Sequence, residues 1–268
     1  MGAMAAPPDV IALLTDFGLK DHYVGVMKGV ILGVNRNARI IDISHDIPTQ
    51  GILDAYFLLS NTYSYFPEGT IFVAVVDPGV GTDRSIIAVQ TGKHTFLAPD
   101  NGLLGFLEKD DAIRRIVQIK NRKYFLEPLS NTFHGRDIFA PVAGHLSLGT
   151  DLSLLGPEIG RMEKIAAPAP KVTREGVIVG EIVSVDHFGN LVTNIPGSRF
   201  AGSDTVEVRF GKHVIGRLAT SYAEGKKGQI LALVGSTGNL EISVNQGNAR
   251  KKTGAKVGDG VRVVHRDK

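Results

Sequence analysis

The segment Thr70–Gly81, TIFVAVVDPGVG, contains the most hydrophobic strand-sized run of the chain and ends in a turn. The residues from Thr70 to Val76 are β-branched, aromatic or small, which predicts a buried strand. Asp77-Pro78-Gly79 ends the strand, because proline lacks the N–H that a ladder needs and all three residue types favour turns. A buried strand followed by a polar, glycine-rich loop is typical of α/β proteins, which bind ligands where parallel strands end.

Two strands and two helical patterns precede this segment. The strands are predicted at Val10–Leu14 and Arg39–Ile43. Apolar residues follow each strand at helical spacing, namely Tyr23, Met27, Val30, Ile31 and Val34, and then Ile52, Tyr56, Leu59 and Tyr63. Alternating strands and helices predict a mainly parallel sheet covered by helices. Asp16 and Asp77 each come just after a strand, so we expect both at the same edge of the sheet.

The pattern changes in the second half of the chain. Further strands at Ser85–Gln90 and Thr95–Ala98 and a helix at Asp137–Leu148 are followed by a proline-containing linker. Beyond it, short strands are separated by glycine turns, without a convincing helix, at Val177–Val185, Leu191–Asn194, Val206–Phe210, Ile230–Val234, Leu240–Val244 and Val261–His265. We therefore predict an α/β domain over residues 9–168 and a smaller all-β, barrel-like domain over residues 175–268.

Composition excludes several classes of protein. The 268 residues are 43% hydrophobic and 21% charged, as in an ordinary globular chain. The longest apolar runs are only strand-sized, so no membrane span is expected. A net charge of +3 gives little support to nucleic-acid binding. Zero cysteines exclude disulfides and thiolate chemistry, and residues 1–8 lack the features of a secretory signal, which predicts a cytoplasmic location.

Common catalytic motifs are missing. The loop after Val76 lacks the lysine and hydroxyl residue of a P-loop and the third glycine of a dinucleotide fingerprint. No histidines stand in an HExxH arrangement, so no metal site is predicted, although a metal-dependent phosphoesterase stays a weak alternative. No GxSxG string is present for an acyl-transfer serine. The motifs thus predict neither a metal nor a cofactor.

Taken in order, the loops match a known family. The motifs are TDFG with DxYVGxxKG (Thr15 to Gly29), VVDPGVGTxR (Val75 to Arg84), APDNGLL (Ala98 to Leu104), TFHGRDxFAP (Thr132 to Pro141), DxFGNLVTNI (Asp186 to Ile195) and GSTGNLEI (Gly235 to Ile242). Over nearly the whole chain this set resembles the S-adenosylmethionine hydrolases, also called SAM hydroxide adenosyltransferases, which are related to fluorinating and chlorinating enzymes. The resemblance implies an α/β domain followed by a barrel-like domain. It also implies a homotrimer that binds S-adenosylmethionine at the interface between subunits.

The resemblance further implies roles for single residues. Asp77, Arg84 and His134 match the set that is proposed to prepare the attacking water. The matched binding residues are Asp16 for the ribose hydroxyls, Asp186 and Ser236 for the ammonium and carboxylate of methionine, Asn190 for adenine, Glu241 for a further substrate contact, and Tyr222 for stacking near adenine.

Two departures from the family pattern bear on these roles. Related halogenases have an arginine after the serine matched to Ser236, whereas this chain has Thr237. Their loop equivalent to Asp186–Asn190 is also one residue longer, which leaves the register of Asn190 open.

The reaction is expected to be hydrolysis of S-adenosylmethionine to adenosine and L-methionine. Halogenases carry tyrosine where this chain has Asp77, and an ionised carboxylate would repel a halide. A halogenase and a non-catalytic protein that binds adenosine or S-adenosylmethionine remain the alternatives.

Overall fold

The computed structural model describes residues 10–110, 113–200 and 206–265. The chain divides into two compact units, one ending at Ile165 and the other beginning at Ala166. The predicted limits at residues 9 and 268, and the interpretation of residues 1–8, lie outside the described residues. The predicted boundary between residues 168 and 175 stays a prediction.

The first unit is built on a seven-stranded sheet in the order β2-β1-β3-β5-β4-β6-β7. Its strands are β1 (Val10–Thr15), β2 (Arg39–Ser44), β3 (Ile71–Val75), β4 (Ile86–Thr91), β5 (Thr95–Pro99), β6 (Ile113–Gln118) and β7 (Glu158–Ile159). Strands β2, β1, β3 and β5 are parallel, whereas β4, β6 and β7 add an antiparallel extension. The predicted α/β class with a mainly parallel sheet is confirmed. The sequence patterns did not predict β6 and β7.

Helices cover the sheet on both faces: α1 (Tyr23–Val34), α2 (Ile52–Ser60) and α3 (Ala140–Ser147). On one face, Met27 and Ile31 of α1 pack with α3 against Leu13 and Val73. On the other face, near α2, Tyr56 joins an aromatic cluster. Each fully buried side chain of this kind contributes about 1.5–3 kcal/mol. The helix that was predicted at Asp137–Leu148 begins instead with one π-helical turn, Gly135–Phe139.

The second unit is a nine-stranded sheet in the order β12-β11-β16-β9-β10-β15-β14-β13, with β8 paired to β9. Its strands are β8 (Lys171–Val172), β9 (Ile178–Val185), β10 (Leu191–Pro196), β11 (Val206–Phe210), β12 (His213–Ile215), β13 (Leu218–Ala219), β14 (Ile230–Val234), β15 (Asn239–Val244) and β16 (Gly260–His265). The sheet forms a nearly closed barrel around apolar side chains such as Ile182, Leu240 and Val263, which confirms the predicted barrel-like domain.

One short helix in the second unit was not expected. Helix α4 (Ala249–Thr253) is capped by Asn248, whose side chain accepts a hydrogen bond of 2.8 Å from the backbone N–H of Lys251. It ends at Gly254, whose φ of 73° suits glycine. Five residues are too few to show helical periodicity in a sequence. Across the described part of the chain, none of the helices combines the length and the apolar character needed to cross a membrane.

A close backbone crossing in the first unit predicts an effect on stability. Gly156 has a φ of 155°, and a Cβ there would lie 2.1 Å from the carbonyl oxygen of Gln118. We expect Gly156→Ala to lower the free energy of unfolding by about 2 kcal/mol or more, because the backbone has to move. Gly160→Ala is the matched control, since a Cβ at Gly160 meets nothing within 4 Å. Urea denaturation of both variants checks this, and equal stabilities would contradict it.

Candidate active site

The first two predicted loops meet at one edge of the sheet. Strands β1 and β3 are parallel neighbours, with Thr15 paired to Val75, so the loops after them leave the sheet side by side. Asp16 and Asp77 both line a cavity of about 490 Å³ in the first unit, a volume in the range of small-molecule sites. The prediction that these two carboxylates share an edge is confirmed.

Asp16 is held by a strained neighbour. Its Oδ2 accepts a hydrogen bond of 2.8 Å from the backbone N–H of Gln50. Gln50 has a φ of 63°, a left-handed conformation that residues other than glycine rarely adopt. Such strain is concentrated at functional sites. Gln50 also lines the cavity, and no motif in the sequence indicated it.

The loop that carries Asp77 is packed from two sides. The side-chain amide of Asn101, from the APDNGLL motif, donates a hydrogen bond of 2.9 Å to the carbonyl of Val76. Gly81 has a φ of 80°, and a Cβ there would lie 2.5 Å from the carbonyl oxygen of Asn131. Glycine is therefore required where this loop meets the segment that leads to His134.

Asp77 and Arg84 form a buried two-point ion pair. Arg84 Nε donates a hydrogen bond of 2.8 Å to Asp77 Oδ1, and Arg84 Nη2 donates a second one to Asp77 Oδ2. The side chains are only 6% and 12% exposed, respectively. The planar guanidinium matches the two carboxylate oxygens, so the pair fixes the orientation of the carboxylate.

His134 completes the group. Its Nδ1 lies 2.9 Å from Arg84 Nη2, and its side chain lines the cavity. Because arginine can only donate, Nδ1 accepts and the ring proton is on Nε2. Burial, and then the charge of Arg84, lower the pKa of His134 below its usual 6.5, against a smaller opposing effect of Asp77 and Asp137. His134 is therefore neutral near pH 7.

The three predicted catalytic side chains contact one another, but only two of them line the cavity. Asp77 and His134 line the cavity, whereas Arg84 contacts both of them and is not among the lining residues. Arg84 can therefore act on a molecule in the cavity through the side chains that it holds and through its charge. In the described residues, no three His, Asp or Glu side chains lie close enough together to hold a metal ion.

An aromatic wall, which the sequence reasoning missed, borders the same cavity. The rings of Phe17, Tyr23 and Phe133 meet at tilted or edge-to-face angles, with centroids 5.1–5.9 Å apart. A Cβ at Gly135 would lie 3.2 Å from each of Met27 Sδ, Phe133 and Phe17. The three aromatic residues stand inside the quoted motifs, so the motifs could have indicated them.

Arg136 and Asp137 were also missed. Asp137 is fully buried and accepts a hydrogen bond of 2.6 Å from Arg136 Nε and one of 2.7 Å from the backbone N–H of Ser130. The guanidinium of Arg136 lies 5.3 Å from the centre of the Phe133 ring, a cation–π contact, and lines the cavity. A basic side chain thus lies on the same wall as His134.

In the second unit, Asp186 and Asn190 are bonded to each other. Asp186 Oδ1 accepts from the backbone N–H of Asn190 at 2.8 Å, and Oδ2 accepts from its side-chain amide at 2.8 Å. Gly189 has a φ of 85°, which allows the tight turn between them. The structure thus brings these two predicted substrate contacts together in a closed turn.

Tyr222 and Glu241 form a second pair. The Tyr222 hydroxyl donates a hydrogen bond of 2.8 Å to Glu241 Oε1, which also accepts one of 2.6 Å from Ser243. Burial, then this bond and the charges of Glu241 and Asp186, raise the pKa of Tyr222 to about 12. Tyr222 as a whole is still 46% exposed, whereas Glu241 is buried. Ser236 is exposed at the tip of the turn between β14 and β15.

Models of a known protein family match both units of the chain. Residues 11–156 match the model of the SAM hydroxide adenosyltransferase N-terminal domain, and residues 180–262 match that of the C-terminal domain. A crystal structure of a conserved protein from Thermotoga maritima superposes with a TM-score of 0.88 at 40% identity, covering 94% of this chain and 99% of that one.

Several relatives that are named for an activity match the chain over most of its length. An (R)-S-adenosyl-L-methionine hydrolase from Thermus thermophilus is 38% identical over 95% of this chain and 99% of its own length. One from Methanocaldococcus jannaschii is 34% identical over 96% of this chain and 96% of its own length. A fluorinase from an Actinoplanes species is more distant, at 27% identity over 69% of this chain and 71% of its own. The two domain matches and the full-length relatives show that this chain belongs to the SAM hydroxide adenosyltransferase family.

Proposed function

We propose that this protein hydrolyses S-adenosyl-L-methionine to adenosine and L-methionine by attack of water at the ribose C5′. The observation that carries the proposal is the Asp77–Arg84–His134 group, two of whose members line the same cavity as Asp16. The names of the full-length relatives support the same substrate and reaction.

The reaction makes simple demands on the protein. The C5′–O bond forms as the C5′–S bond breaks, and the sulfonium sulfur leaves with the bonding pair as a neutral thioether. This leaving group needs no general acid. The protein has to align one water molecule opposite the C5′–S bond and take up one proton from it. Alignment alone is worth about 7 kcal/mol or more.

Within the group, Asp77 suits the role of proton acceptor. Each of its carboxylate oxygens accepts one hydrogen bond from Arg84 and keeps a further lone-pair direction. The nearby guanidinium charge favours the deprotonated form of a water bound there. His134 keeps its proton on Nε2 because Nδ1 faces Arg84, so it donates to the water and orients it. The proton of the water therefore passes through Asp77 to solvent.

The cavity wall disfavours a halide as the nucleophile. An isolated carboxylate about 4 Å from a halide repels it by about 4 kcal/mol at an effective dielectric near 20, and the paired Arg84 reduces this repulsion. A carboxylate also has no proton to donate to a halide. Asp77 lines the cavity, so water, which can donate to it, is the better occupant. The aromatic wall lowers the local polarity, which favours a reaction that neutralises the sulfonium charge.

Other groups bind the substrate in this proposal. Asp16 accepts hydrogen bonds from the two ribose hydroxyls. In the second unit, Asp186 holds the ammonium and Ser236 the carboxylate of the methionine part. Asn190 contacts adenine, Tyr222 stacks near it, and Glu241 makes a further contact with the substrate. A homotrimer with the site at the subunit interface, and a cytoplasmic location, stay predictions that rest on the resemblance and on the sequence.

Product analysis tests the reaction directly. We expect the purified protein to release adenosine and L-methionine from S-adenosyl-L-methionine, with no change when chloride or fluoride is added, because the carboxylate excludes halide. Liquid chromatography with mass spectrometry measures both products. A halogenated deoxyadenosine as the main product would overturn the hydrolase proposal, and binding without turnover would favour the non-catalytic alternative.

Substitutions test the catalytic group. We expect Asp77→Asn, Arg84→Ala and His134→Ala each to lower kcat by about 10²-fold or more while substrate affinity changes little, because they affect the water rather than the nucleoside. Arg115→Ala is the control, since Arg115 is also paired with a carboxylate, 3.3 Å from Asp151, and does not line the cavity. Steady-state kinetics and calorimetry give both quantities. Unchanged kcat in all three variants would remove the group from the mechanism.

The neutral state of His134 predicts the pH dependence. Its pKa is lowered from 6.5, so the uncharged ring that Arg84 requires persists as pH falls to 6.5 and is lost below it. We expect kcat/KM to be constant from about pH 9 down to 6.5 and to decrease at lower pH. A decrease already centred above pH 7 would contradict the assignment of this ring as neutral.

A further inference from the structure

A chain of polar side chains runs beneath the loop that carries Asp16. Thr15 Oγ1 lies 2.8 Å from His45 Nδ1, and His45 Nε2 lies 3.1 Å from Asp42 Oδ1. Lys28 Nζ donates a hydrogen bond of 2.6 Å to Asp42 Oδ2. Thr15 and His45 are 0% and 3% exposed, and neither lines the cavity. The chain thus joins a partly exposed ion pair to the buried end of β1.

The ionised carboxylate of Asp42 determines which atoms of this series of side chains donate and which accept. Burial raises the pKa of Asp42, but the bonds and charges of Lys28 and His45 outweigh it, so the pKa lies below its usual value and Asp42 is ionised. His45 Nε2 is closed to solvent and lies 3.1 Å from this carboxylate, at an angle that does not make a hydrogen bond. The negative charge of Asp42 places the ring proton on Nε2. Nδ1 in this tautomer then accepts from the hydroxyl of Thr15.

This series of polar side chains ends at the loop that follows β1. Thr15 Oγ1 accepts a hydrogen bond of 3.2 Å from the backbone N–H of Phe17. The carbonyl of His45 accepts one of 2.7 Å from the backbone N–H of Gly18. Asp16 therefore directly precedes two residues, Phe17 and Gly18, whose backbone N–H groups bond to Thr15 and His45. Its own carboxylate bonds to the backbone of Gln50.

Packing alone does not explain these polar residues. The other residues of β1, from Val10 to Leu14, are all apolar and buried, and Thr15 is the single polar residue of the strand. A buried hydroxyl and imidazole without partners are costly, and an apolar pair would fill the same space without that cost. The polar groups are useful where they hold the backbone of the following loop in one conformation.

We propose that Thr15, His45 and Asp42 are positioning residues that hold Asp16 in the conformation that binds the ribose hydroxyls. They act through the backbone of the first loop and do not touch the substrate. This inference rests on the role of Asp16 in the proposed function and extends it to the residues that select for a ribose with both hydroxyls.

The test uses four variants. Thr15→Val removes the hydroxyl at almost constant volume, and Thr15→Ser restores it. Thr70→Val is the matched control: Thr70 is also buried and donates one hydrogen bond, of 2.7 Å to the carbonyl of Pro67, but it precedes β3 at the opposite edge of the sheet. Asp42→Asn perturbs the partly exposed end of the chain, so it gives a second result that does not depend on a buried substitution.

Two measurements follow the effect. Amide hydrogen exchange reports on the loop without any ligand: we expect exchange at Phe17 and Gly18 to be about tenfold faster in Thr15→Val and unchanged in Thr70→Val. Calorimetry then compares adenosine with 2′,3′-dideoxyadenosine. We expect Thr15→Val to weaken adenosine binding about tenfold and to leave binding of the dideoxy compound unchanged. Thr15→Ser should bind adenosine nearly as well as the wild type. Asp42→Asn should weaken adenosine binding, as Thr15→Val does.

The outcomes separate this inference from the proposed function. Unchanged exchange at Phe17 and Gly18, or an equal loss of affinity for both nucleosides in Thr15→Val, would overturn the positioning role alone. A wild type that does not distinguish the two nucleosides would remove the ribose role of Asp16 and the positioning role with it. A wild type that prefers adenosine, loses that preference in Thr15→Val and yet does not hydrolyse S-adenosylmethionine would overturn the proposed function alone.

Discussion

The buried ion pair between Asp77 and Arg84 is the constraint on which the candidate site depends. Moving a carboxylate and a guanidinium out of water costs several kcal/mol for each ion, and the cost is offset only when both oxygens are matched by donors. The two-point contact meets that condition. Together with burial, which has the larger effect, the charge of Arg84 lowers the pKa of His134, because a second cation beside Arg84 would be unfavourable. One ion pair thus fixes the direction of a carboxylate and the tautomer of an imidazole.

Strand direction brings the partners of this pair together. Asp77 follows β3, which is parallel to β1 and β5, so its loop lies at the edge where those strands end. Arg84 precedes β4, which is antiparallel to β5. An antiparallel strand starts at the edge where its parallel neighbours finish, so the arginine returns to the carboxylate seven residues before it. The antiparallel extension of the sheet is therefore part of the site as well as part of the core.

The positions of the loops of the candidate site could be predicted from the sequence, whereas most of their side-chain contacts could not. Hydrophobic runs followed by Asp-Pro-Gly or Asp-Phe-Gly mark strand ends, and parallel strands place such ends at one edge, so the shared position of Asp16 and Asp77 was predictable. The two-residue strand β7 and the five-residue helix α4 are too short to show a period. The left-handed Gln50 and the bonds of His45 depend on side chains that meet only in the folded chain, and no local pattern encodes them.

The glycine at position 135 has a consequence for how enzymes of this kind diverge. Its hydrogen atoms face a thioether and two aromatic rings, all 3.2 Å from where a side chain would begin. Any larger residue has to displace Met27, Phe17 or Phe133 by a few tenths of an ångström. A side chain at the position beside His134 would therefore also shift the aromatic wall of the cavity, so the size of this residue and the shape of that wall do not vary independently.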